Sequence, residues 1–133
     1  MSIRVLLVED DPLVALVTED IFNTLTGGAR FTHATSLSHS MKYQHHAYDM
    51  VVCDLHMPEC SVEEVIHNMT DHFSQSNLIF FSASNTETAV RTIGTKRALF
   101  ISKGAEFSEI SKWIKKEFPL MFSKLSGKRT ASC

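Results

Sequence analysis

The sequence predicts an α/β fold: a doubly wound, five-stranded parallel sheet with helices on both faces. Three observations carry that prediction. Five short runs rich in Val, Ile, Leu and Phe recur along the chain. Each is followed by a longer amphipathic segment, an order that implies parallel pairing through right-handed crossovers. The runs are continuously apolar instead of alternating, as strands covered on both faces are. With 133 residues and 44% hydrophobic content, the chain suits one domain around a single core.

The first run, IRVLLV (3–8), is too short for a helix and reads as a strand. The segment DPLVALVTEDIFNTLTGG follows as a helix, capped by Asp11, opened by Pro12 and stopped by Gly27-Gly28. RFTHAT (30–35) is the second strand, and Ser36 to about Ala47 the second helix. DMVVCD (49–54) is a buried strand ending in an acid. Ser61 and Glu64 form a capping box for a helix that runs to about Phe73. NLIFFSA (77–83) is the fourth strand, with a short fourth helix at about Thr86–Ile93. ALFISK (98–103) is the fifth strand. The fifth helix, about Glu106 to Phe118, sets Phe107, Ile110, Trp113, Ile114 and Phe118 on one face, and Pro119 ends it.

Composition excludes several classes. Thirteen basic against fifteen acidic residues give no electrostatic reason for direct contact with nucleic acid or an anionic membrane. No apolar run approaches the roughly 20 residues that span a bilayer. MSIRVLLVEDD turns acidic too early for a secretory signal, so the cytoplasm is the expected location. Cys53, Cys60 and Cys133 read as neither a disulfide framework nor a zinc site. The seven histidines have no structural-zinc spacing. No basic cluster flanks Cys60, so a redox role for it has little support.

In doubly wound sheets, ligands bind beyond the carboxyl ends of the strands. That rule gathers Glu9, Asp10 and Asp11 after strand one and Asp54 after strand three. It adds Ser82 and Ala83 after strand four and Lys103 after strand five. Several carboxylates at one edge repel one another unless positive charge sits among them. Lys103 supplies one charge; a hard divalent cation with oxygen ligands, such as Mg2+, supplies the rest. A carboxylate beside a cation, a hydroxyl and an ammonium is a plausible nucleophile toward phosphorus. Taken singly the same residues have plainer readings. Asp11 serves as a helix cap, Ser82 as a loop hydroxyl and Lys103 as a surface lysine. Asp54 is harder to read so, because an acid ending so apolar a strand needs a partner.

VLLVEDDP, VVCDLHMP, IFFSAS and LFISKGA occur in that order, and through them residues 3 to about 118 resemble the receiver domain of two-component response regulators. The resemblance implies a flavodoxin-like receiver with strand order 2-1-3-4-5, occupying residues 1–122, with 123–133 a polar tail or the start of a linker. It implies that Asp54 is the phosphoacceptor, and that Glu9, Asp10, Asp54 and the backbone carbonyl of His56 hold Mg2+. Ser82 and Lys103 would bind the phosphoryl group. Ser82 and Phe100 would form the switch, Phe100 swinging inward as the Ser82 hydroxyl moves. A receiver is a signalling phosphoacceptor that assists its own phosphoryl transfer and dephosphorylation, not a conventional enzyme. The implied partners are a sensor histidine kinase or phosphotransfer protein and a downstream protein or fused output domain. A homodimer through the fourth helix, fifth strand and fifth helix is also implied, with Ala89, Val90 and Phe100 in the patch; nothing in the chain itself points to nucleic acid or membrane. The sequence departs from the family at Gly104, where many members have proline, at Val62 and Arg97, where glycine is common, and at Phe100, which lacks a tyrosine hydroxyl. His56 and Ser84 stand at positions that tune phosphoryl lifetime in the family.

Two other readings compete. A flavin or nucleotide binder is opposed by EDDP after strand one, where a phosphate cradle would need glycines or hydroxyls. A pseudo-receiver, folded alike but used only for docking, is opposed by the complete set of site residues.

Overall fold

The computed structural model describes residues 3–58, 60–82 and 98–119. Five strands, β1 (Ile3–Val8), β2 (Ala29–Ala34), β3 (Met50–Asp54), β4 (Asn77–Ser82) and β5 (Ala98–Ser102), form one sheet. Every pairing is parallel and the order is β2-β1-β3-β4-β5, as expected. The described helices are α1 (Pro12–Thr26), α2 (Leu37–Ser40), α3 (Val62–His72) and α4 (Phe107–Glu117). The fourth helix expected at Thr86–Ile93, with Ala83, Ser84, Ala89, Val90 and Arg97, lies outside the described residues, as does the 123–133 tail.

Strand geometry explains why the sheet has two cores. Successive side chains point to opposite faces. Leu6, Val8, Val51, Cys53, Leu78 and Phe80 therefore meet Leu37, Val65, Ile66 and Met69 on the side of α2 and α3. Val5, Leu7, Met50, Val52, Ile79 and Phe81 meet Ala15, Phe22, Ile110 and Ile114 on the side of α1 and α4. At the lower edge Asp49 ties three strands. Its carboxylate accepts the Arg4 N–H at 2.9 Å, its N–H donates to the Arg4 carbonyl at 2.9 Å, and its carbonyl accepts the Asn77 side-chain amide at 3.0 Å.

Helix ends follow local chemistry. The Asp11 carboxylate accepts the N–H groups of Leu13 at 2.9 Å and Val14 at 3.4 Å, so Asp11 caps α1. Gly27 closes α1 at φ 74°, a left-handed conformation that glycine adopts without steric cost. The Ser61–Glu64 capping box forms in both directions, at 3.1 and 3.0 Å. Leu13, Leu16 and Val17 of α1 remain exposed.

Two expectations fail. The second helix, read to about Ala47, ends at Ser40 and tightens into a 3₁₀ turn over Met41–Tyr43. The Ser40 hydroxyl donates back to the Leu37 carbonyl, competing for an acceptor a continuing helix would use. Beyond it, Tyr43 packs on His46 and His46 on Tyr48, which favours the turn. Phe107, assigned to the buried face of the last helix, is 42% exposed, because α4 turns only Ile110 and Ile114 fully into the core.

Candidate functional site

The carboxyl ends of β1, β3 and β5 bring Glu9, Asp10, Asp54 and Lys103 together. Asp54 is the last residue of β3 and Glu9 follows β1 directly; they are 5% and 3% exposed. Backbone bonds extend the sheet into the loops that carry the site. The Glu9 N–H donates to Ala34 O at 3.0 Å, Leu55 N–H to Phe81 O at 2.9 Å, and Lys103 N–H to Ser82 O at 2.8 Å. The last of these draws Lys103 beside β4 just as β5 ends.

Lys103 Nζ lies 3.0 Å from Asp54 Oδ2 and 3.8 Å from Glu9 Oε1. The other Asp54 oxygen accepts the backbone N–H of His56 at 2.9 Å. Glu9 accepts the Asp11 N–H at 3.2 Å. Burial pushes the Glu9 carboxyl up to about 7; the Asp11 N–H works against that rise, while the charge of Asp54 adds to it.

Glu9, Asp10 and Asp54 each offer a carboxylate oxygen, and these oxygens lie within 4.8 Å of one another. An all-oxygen set of three acids, one of them exposed, suits a hard divalent cation of the Mg2+ type that keeps water in its shell. Asp11 is not part of the set; its side chain is committed to the α1 cap.

His56 and Ser82 are joined by side chains: His56 Nε2 lies 3.1 Å from Ser82 Oγ. Phe100 stands apart from the acids. Its half-buried ring stacks on Phe80, with centroids 5.3 Å apart and planes at 18°. An apolar cavity of about 320 Å³ adjoins the site, lined by Leu13, Val17, Ile21, Phe81 and Ile110 together with Glu9, Asp54 and Lys103.

Two contacts were not foreseen. His33, on β2, donates its Nε2–H to the Glu9 carbonyl at 2.8 Å and so fixes the backbone that carries the acid. The other is the His56 ring on Ser82. The only signal for either was position: each histidine lies one or two residues from the acidic edge.

A doubly wound sheet of this order, with an acidic cation pocket and a lysine beyond its carboxyl ends, defines a receiver architecture. A sequence model of the response regulator receiver domain matches residues 5–115, and the chain belongs to that family. A solved CheX–CheY–BeF3–Mg2+ complex from Borrelia burgdorferi contains a chain similar to this one. Identity is 23% and the TM-score 0.73, covering 87% of this chain and 89% of that one. TrrA from Thermotoga maritima, solved with Mg2+ and BeF, is 20% identical with TM-score 0.69, covering 89% of this chain and all of that one (100%). A CheY-like receiver from Methanospirillum hungatei is 14% identical with TM-score 0.75, covering 93% and 99%. Comparison with curated protein sequences found no match. No described helix is long and apolar enough to cross a membrane.

Proposed function

We propose that this receiver accepts a phosphoryl group on Asp54 from a phosphohistidine of a sensor kinase or phosphotransfer protein. The observation that carries the reading is the environment of Asp54. A nearly buried carboxylate stands 3.0 Å from an ammonium and within a cation-type acid cluster. An Asp54 oxygen attacks phosphorus, the P–N bond of the donor breaks, and the leaving imidazole takes up the electron pair and a proton. Such transfer depends chiefly on positioning and charge neutralisation.

Glu9, Asp10, Asp54 and the backbone carbonyl of His56 are the groups assigned to Mg2+. Bound there, Mg2+ would neutralise acid and phosphoryl charge. Lys103 holds a second phosphoryl oxygen by charge, and the Ser82 hydroxyl donates to a third. His33 anchors the Glu9 backbone so that its carboxylate stays at the edge. Phe100, packed on Phe80, moves as the Ser82 hydroxyl moves, so that charge at Asp54 biases a two-state element. The resulting surface serves a downstream partner or a second copy.

Intact mass after incubation with Mg2+ and a small phosphoramidate tests the reading. One added phosphoryl group, absent in Asp54→Asn and with a chelator, is expected. No adduct under rapid quenching would leave an unphosphorylated docking module.

A further inference from the structure

We propose that the His56 imidazole holds the Ser82 hydroxyl in the resting receiver, so that the ring and a phosphoryl group on Asp54 compete for it. The proposal rests on the phosphoacceptor reading above and adds a regulatory contact to it. Asp54 supplies the geometry. Its carboxylate accepts the His56 N–H at 2.9 Å, which pins the backbone two residues past the end of β3. Asp54 pairs in register with Phe81 on β4, and Leu55 N–H extends the ladder to Phe81 O. Ser82 is therefore the next β4 residue alongside the pinned loop. The His56 ring bridges the remaining gap at 3.1 Å, a normal hydrogen-bond distance between residues 26 apart in sequence.

The backbone bond to Asp54 could be made by any residue with an N–H. Only a side chain long enough, with an acceptor atom where Nε2 lies, also reaches Ser82. Ser82 is 2% exposed whereas His56 is exposed. A buried hydroxyl needs protein partners, and it has one proton to donate. A ring at the surface can turn into water at little cost once the hydroxyl leaves it. The contact thus belongs to the resting arrangement and lowers its free energy selectively, which is what biases a two-state equilibrium. Removing the ring removes that bias.

The test uses the full chain and two readouts. Ring ¹⁵N spectra of the metal-free protein report the contact itself. Ser82→Ala is expected to shift the His56 Nε2 resonance, and an unmoved resonance overturns the contact. Beryllofluoride with Mg2+ then stands in for the phosphoryl group. His56→Ala is expected to bind it roughly three- to tenfold more tightly, the worth of one ordinary hydrogen bond. His56→Gln, whose amide oxygen can accept from the hydroxyl near the place of Nε2, is expected to restore wild-type binding, and His56→Ala in a Ser82→Ala background to change nothing. Equal or weaker binding by His56→Ala, or the same gain without Ser82, overturns the competition alone. A wild-type chain that takes no beryllofluoride overturns the phosphoacceptor reading and the competition with it, while the spectra still decide the contact.

Discussion

The Lys103 ammonium reaches Asp54 Oδ2 at 3.0 Å, an ion pair that closes 49 residues of chain across the end of β4. The same nitrogen lies 3.8 Å from Glu9, so one cation is shared between the two buried acids of the site. Its placement sets it in competition with a divalent cation for the acids and, under the proposed function, lets it complement an incoming phosphoryl group.

Lys103→Met separates those roles. Without the ammonium the acids face a metal with no rival, and Mg2+ is expected to bind several-fold more tightly, on the scale of one partly exposed ion pair. Beryllofluoride uptake is expected to fall by roughly tenfold or more, because a charge-assisted contact to the anion is gone. Titrating both ligands into wild type and variant checks the pair of signs. Weaker Mg2+ binding in the variant would count against a shared cation.

Glu9 gives the site a pH dependence. Its carboxyl rises from the ordinary 4.5 to about 7, chiefly through burial. The folded protein therefore binds this proton more tightly than the unfolded chain does. The associated stability is complete below about 4.5 and is lost as pH rises through about 7. Metal binding needs the carboxylate, so Mg2+ affinity is expected to climb across the same window and level off above it. Denaturant midpoints of the metal-free protein and Mg2+ titrations at several pH values should move in opposite directions. In Glu9→Gln both slopes should flatten.

Much of this arrangement could be read from the chain. The runs Met50–Cys53 and Leu78–Phe81 are apolar without alternation because both faces of the sheet are covered, and that pattern has no good alternative as a surface helix. Once strand order was set, the edge rule placed Glu9, Asp10, Asp54 and Lys103 together without any contact being known. Where the reading failed, the cause was an interaction that sequence spacing does not encode. The Ser40 back-bond cut α2 short, and Phe107 fell outside the buried face at the start of its helix. The His33 and His56 contacts depend on rotamers and on register between strands distant in sequence, so the motif that located the acids said nothing of the rings beside them.

Helix ends predict their own energetics. Gly27 holds φ 74°, and Gly27→Ala is expected to destabilise the fold by about 1 kcal/mol from the left-handed penalty on a Cβ. Ser61→Ala removes one partner of a two-way box and is expected to cost about 1 kcal/mol. The two sites lie on opposite faces of the sheet, so the double variant should be additive within about 0.5 kcal/mol. Urea unfolding of the three variants tests all three values, and an additivity failure larger than that would indicate coupling through the sheet.

The Phe80–Phe100 stack allows the last prediction, because its two rings are buried to different degrees. Phe80 is fully enclosed among Val65, Ile66, Met69 and its strand neighbours, whereas Phe100 is half-buried on β5 at the margin of the same cluster. Phe80→Ala therefore leaves a cavity that rigid neighbours cannot fill, and about 3–5 kcal/mol of stability should be lost. Phe100→Ala opens onto solvent and should lose less than half of that, while Phe100→Tyr should be close to neutral, since the ring margin already meets water. With centroids at 5.3 Å, the pair should show a coupling of about 0.5–1.5 kcal/mol in a double-mutant cycle. A Phe100→Ala variant as damaged as Phe80→Ala would mean that Phe100 spends its time in solution more deeply buried than the stacked arrangement shows. The resting position of the ring assigned to the switch would then lie inside the cluster, at odds with the inward swing assigned to phosphorylation.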